Sequence, residues 1–141
     1  GHNGPISIDQ TAMSDWTSLK MDAAEALRKQ AQPGDLIATN LTSHSFVAGV
    51  THLPTYVTAF AYQSDYGSPS VATSLINHEK LVWEFINGPE ISTASFLCPS
   101  KIHWLWIDLA RTERRDWEPF ADPVFENDEV IIAQVDRSLC D

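Results

Sequence analysis

Apolar residues recur at helical spacing near the start of the chain: Trp16, Leu19, Ala23, Leu27 and Ala31 share one face over residues 16–32. Asp15 stands where a helix cap would, Arg28 and Lys29 fall in the last turn where they suit the helix dipole, and Gln32-Pro33-Gly34 stops the run. The pattern then switches to a short apolar strand, Asp35–Thr39, centred on Leu36-Ile37-Ala38. Residues 40–49 show no clear period and are compatible with a short helix. His52-Leu53-Pro54 is a break, Tyr56–Phe60 alternates aromatic and β-branched residues as a second strand would, and residues 63–70 are rich in turn formers.

Ser70 is placed to cap a second long helix, about Val71 to Asn87, which Asn87-Gly88-Pro89 terminates. Its apolar face is drawn from Val71, Leu75, Val82 and Ile86 together with Ala72, Ile76 and Trp83. A short helix fits Glu90–Leu97. Ile102–Ile107 is apolar on both faces, the signature of a central parallel strand covered on both sides. Asp116–Ala121 fits a helical turn. Pro123–Glu126 and Glu129–Val135 flank Asn127-Asp128, a two-residue connection of types that tolerate positive φ, and so predict a hairpin.

Helix, strand, strand, helix, strand and hairpin in that order predict an α/β fold. The specific expectation is a three-layer sandwich with a mostly parallel, Rossmann-like sheet and a C-terminal β-hairpin at one edge. Residues 1–14 read as a polar tether or cloning remnant and residues 15–141 as a single α/β domain.

Charge narrows the classes of partner. The net charge of −10 would repel nucleic-acid phosphates and anionic lipid, so no nucleic acid is expected as a partner. No apolar run reaches the roughly 18 residues of a membrane span, so no transmembrane segment is expected in this chain. The chain begins Gly1-His2-Asn3-Gly4 without Met, which reads as a processed product or a cloned fragment. Cys98 and Cys140 flank two predicted strands. They are either a disulfide tying the C-terminal end to the sheet, and with it an oxidising compartment, or two unrelated thiols.

Ligands of open parallel sheets usually sit beyond the carboxyl ends of the strands. Those ends offer Thr39, Asn40 and His44 after the first strand, Tyr62, Asp65 and Tyr66 after the second, and Asp108 and Arg111 after the third. Such a crevice suits a sugar or another polyol. The competing reading is that Asn40 and Asp108 cap turns where strands meet loops. The five histidines do not cluster at metal-ligand spacing, and no metal site is expected. Ser43-His44-Ser45 lacks the strained elbow of a serine hydrolase, and no glycine-rich phosphate loop is present, so no cofactor is implied. Glu113-Arg114-Arg115-Asp116 reads as a solvated charged loop, His103 as a core histidine, and Trp104 and Trp106 as core aromatics.

Three segments carry a family likeness: Asp35-Leu-Ile-Ala-Thr-Asn40, Ile102-His-Trp-Leu-Trp-Ile-Asp108 and Val124-Phe-Glu-Asn-Asp-Glu-Val-Ile-Ile-Ala-Gln-Val135. The arrangement resembles the C-terminal extracytoplasmic domain of bacterial multi-spanning membrane proteins similar to GT-C-type glycosyltransferases, which act on lipid-linked sugars. The likeness spans about residues 16–135; residues 51–70 have no counterpart in it. It implies location on the extracytoplasmic face of the cell membrane, as part of a larger membrane protein. The catalytic carboxylates of that family would lie in loops between spans, so the resemblance assigns no catalytic residue to this chain. The expected function is a soluble, non-catalytic accessory domain that binds a glycan or the membrane portion of its own parent chain. The alternatives are a small independent α/β hydrolase or transferase acting on a polar metabolite, and a structural or interaction module.

Overall fold

The computed structural model describes residues 17–42, 44–56 and 69–141. Helix α1 spans Ser18–Gln30, strand β1 Leu36–Thr39, helix α2 His44–Thr51 and helix α3 Pro69–Asn87. Strand β2 follows at Ile102–Asp108, then the hairpin strands β3, Ala121–Glu126, and β4, Val130–Val135. Short 3-10 helices occupy Leu109–Arg111 and Arg137–Cys140. The expected N-terminal segment 1–14, the Asp15 cap and residues 57–60 of the expected second strand lie outside the described residues.

Helix α1 is capped by Thr17, whose Oγ1 accepts from the Lys20 amide at 3.3 Å. It ends at Gln30 with Ala31 extended as its C-cap, and in the turn that follows Gly34 takes a φ of +89°, a backbone region open to glycine without steric cost. Helix α3 begins at Pro69, whose fixed φ and missing N–H suit a first helical position. The expected helix at Glu90–Leu97 is instead a series of turns. Thr93 organises it, donating to the Gly88 carbonyl at 2.6 Å and accepting from the Glu90 amide at 2.9 Å.

The sheet corrects the expected architecture. Its four strands run in the order β1-β2-β4-β3; β1 and β2 are parallel, and β2·β4 and β4·β3 are antiparallel. It is a mixed sheet with one parallel pair, not a mostly parallel Rossmann-like one. The hairpin lies at one edge, as expected, but it makes up half of the sheet. The reason lies in composition. Val130–Val135 is apolar on both faces and is buried at five of six positions, so it sits in the interior beside β2. Ala121–Glu126, polar and carrying Pro123, takes the edge, with a register irregularity between Pro123 and Phe125. On the far side of β1, Thr55 forms an isolated parallel bridge with Ile37, and the Ile37 amide donates to the Pro54 carbonyl at 3.0 Å.

Alternation along β2 and β4 divides the core. Leu105, Ile107, Ile131, Ala133 and Val135 pack with Val82, Phe85 and Ile86 of α3 and with Trp117. Trp104, Trp106, Val130 and Ile132 pack on the opposite face with Ala23, Ala24 and Leu27 of α1 and Val47 of α2. Both strand tryptophans are therefore core, as expected. His103 is not: its side chain is about two-fifths exposed, because a register shift opposite Leu36/Ile37 turns it outward, with Nδ1 3.9 Å from the Asp35 carboxylate. Asp35 Oδ2 in turn accepts from the Trp104 indole at 2.9 Å.

The hairpin connection is longer than expected and closes differently. Residues 127–129 join the strands, and Asn127 Oδ1 accepts from the amides of Glu129 and Val130 at 2.9 and 3.0 Å. The side chain thus supplies what a left-handed backbone would otherwise provide. Asn127 Nδ2 donates to the Leu19 carbonyl at 2.8 Å, which fastens the turn to α1.

Cys98 and Cys140 form a disulfide, with Cα atoms 5.3 Å apart. It joins the turn before β2 to the 3-10 helix after β4. Arg137 reinforces the same junction, donating to the carbonyls of Leu97, Ile102 and Cys98 at 2.9, 3.1 and 3.4 Å.

Candidate functional site

Because β1 and β2 are parallel, their carboxyl ends lie side by side and bring Thr39, Asn40 and Asp108 together. All three are buried. Asn40 Nδ2 donates to the Asp108 carbonyl at 3.1 Å, and the Asp108 amide donates to Asn40 Oδ1 at 2.8 Å. The carboxamide therefore acts as one more peptide unit and continues the β1·β2 ladder past the end of β1. Thr39 Oγ1 accepts from the Leu41 amide at 3.1 Å. Asp108 caps the following 3-10 helix, accepting from the Ala110 amide at 3.1 Å, and its other oxygen lies 3.6 Å from Arg111 Nε.

Of the eight residues singled out from sequence, four converge here: Thr39, Asn40, Asp108 and Arg111. His44 is the first residue of α2. Tyr62, Asp65 and Tyr66 lie outside the described residues. The buried members use their polar atoms on backbone and on one another, which is the capping role weighed against the crevice. An arrangement for acid–base chemistry would need a carboxylate aimed at a substrate. Asp108 is aimed at an amide and a guanidinium.

Arg111 leads outward from this buried pair. Its guanidinium carbon lies 6.0 Å from the centroid of the Trp83 ring, and Trp83 is 37% exposed. Two clefts share Asn87 as a common wall. One, of about 670 Å³, is bounded by the backbone and side chains from Leu109 to Arg115. The other, of about 620 Å³, is bounded by Thr42, Glu79, Lys80, Trp83 and Glu84. The solvent-facing chemistry of this end of the sheet is thus an indole with Glu79, Lys80 and Glu84 in one cleft, and Arg111, Glu113, Arg114 and Arg115 in the other. Arg115 is partly engaged, donating to the carbonyls of Thr112 and Arg114 at 2.9 and 2.8 Å.

Trp83, Asn87 and Arg114 were not among the candidates from sequence. Helical spacing places Trp83 on the apolar face of α3. The structure packs Val82 and Ile86 against the sheet as expected, adds Phe85 to them, and leaves Trp83 beside Lys80, Glu84 and Asn87. Lys80 and Asn87, three positions before it and four after, were the available signal. Among the described residues, no group of three or more His, Cys, Asp or Glu is placed to hold a metal ion. No family model, no curated protein and no solved structure matches this chain.

Proposed function

We propose that this chain is an extracytoplasmic accessory domain of a membrane protein, non-catalytic on its own, which binds a glycan at the Trp83–Arg111 face. The observation that carries the reading is the Cys98–Cys140 bond, since disulfides persist chiefly in oxidising compartments and are rare where thiol reductants are maintained. Among the described residues no helix is long and apolar enough to cross a membrane. In this reading the anchoring spans belong to a larger parent of the GT-C-like kind that the three segments resemble.

The binding half of the proposal draws on the half-exposed indole. An aromatic face stacks on the C–H face of a sugar ring, while arginines and the Asn87 carboxamide at the cleft edges suit hydroxyl and carboxylate groups. Titration with neutral and uronate-containing oligosaccharides, followed by tryptophan fluorescence, tests it. The wild type is expected to show a saturable change that Trp83→Ala lowers by at least about tenfold in affinity. Equal responses from both proteins, or none from either, would overturn the glycan assignment. Labelling by membrane-impermeant maleimide in intact cells tests the location: labelling of Cys98 and Cys140 only after an external reductant supports it.

A further inference from the structure

At the opposite end of the sheet from Trp83, an apolar groove of about 560 Å³ runs beside the disulfide. Leu97, Phe120 and Val135 form its floor and sides, and the Cys98–Cys140 bond closes one flank. Two large apolar side chains stand at its margin in water, Ile91 at 86% and Leu139 at 51% exposure. Three carboxylates rim it, from Glu90, Glu118 and Asp136, and among the described residues no lysine or arginine lines it. Arg137, in the same C-terminal turn, directs its guanidinium to carbonyls of the 97–102 segment.

We propose that this groove docks a foreign polypeptide segment in which apolar side chains alternate with lysine or arginine. An apolar floor inside an acidic rim is complementary to such a segment and to few others. The exposed Ile91 and Leu139 extend the apolar surface beyond the cavity, which suits an extended or helical chain more than a compact small molecule. Charge argues against occupants drawn from residues 1–141 themselves. Residues 1–16 and 57–68 contain neither lysine nor arginine, and a second copy brings its own net charge of −10.

Fluorescence anisotropy with a short fluorescein-labelled Leu/Lys peptide tests the proposal. Leu/Glu and Ser/Lys peptides of equal length and dodecylammonium as competitor serve as comparisons. The Leu/Lys peptide is expected to bind saturably. Glu90→Gln with Glu118→Gln should weaken it about fivefold, as the loss of rim charges does. Ile91→Ser should weaken it about tenfold, as the loss of an apolar anchor does. Ile91 is exposed, so its replacement leaves folding intact, which far-UV circular dichroism verifies. Trp83→Ala should leave this binding unchanged, which separates the groove from the proposed glycan face. Three results would overturn the idea: no binding, equal affinity for both sets of groove variants and the wild type, or displacement of the peptide by dodecylammonium at matched charge.

Discussion

At residue scale the most constrained position is Asn40. Its carboxamide offers one donor and one acceptor to the backbone of Asp108, a pairing that aspartate, leucine or alanine cannot reproduce. Asn40→Ala leaves a buried N–H and a buried C=O without partners and is expected to destabilise the domain by about 2–3 kcal/mol. Urea denaturation would show this as a lower midpoint at unchanged slope. Asn40→Asp should be as damaging, because it removes the donor and buries a charge. Whatever ligand binds nearby, the first effect of altering Asn40 is therefore on folding. Arg111 and Trp83 are the positions where a substitution separates binding from stability.

At the scale of elements, Glu129 shows how the hairpin is held to α1. Its carboxylate accepts from Thr17 Oγ1 at 2.8 Å and from Lys20 Nζ at 3.2 Å. The Thr17 hydroxyl, followed by Lys20, holds the carboxyl below the ordinary glutamate range against the opposing effect of burial. A depressed folded-state pKa stabilises the protein above the unfolded value, and that contribution disappears as pH falls through the folded value. Glu129→Gln should therefore cost about 0.5 kcal/mol near neutrality, the order of an ion pair at the protein surface. Thermal melts across pH should find the two proteins converging in acid. The elements themselves were largely legible in sequence. Helix α1 announces itself by Ala23 and Leu27 at i, i+4 and by Pro33-Gly34, and β2 by six residues apolar on both faces. The turn at Asn127 was legible in place but not in length, since two side-chain hydrogen bonds replace the backbone geometry that short hairpins need. Strand neighbours were not legible. The apolar character of 130–135 demands burial on both faces, yet local pattern does not say that β4 takes the side of β2 opposite β1, or that it runs antiparallel there. Trp83 was misplaced for a related reason: helical period defines a face, and only tertiary packing decides where that face ends.

At the scale of the whole molecule, the disulfide and the Arg137 hydrogen bonds fasten the last turn to the segment before β2 across 42 residues of sequence. Replacing both cysteines by serine should lower stability by about 2–4 kcal/mol. The measurement is the urea midpoint of the double variant against that of the oxidised wild type, with far-UV circular dichroism in water unchanged. The same junction forms one wall of the acidic groove and lies at the opposite end of the sheet from Trp83, so the two sites share no residue. The edge strand β3 adds a property of populations rather than of single molecules. Pro123 withholds an amide and the irregularity beside it breaks the spacing of the remaining ones, so a neighbour has no continuous template along which to add a strand. Copies crowded on a common surface that meet along β3 can then collide and separate again, and this edge gives fibre growth no place to begin.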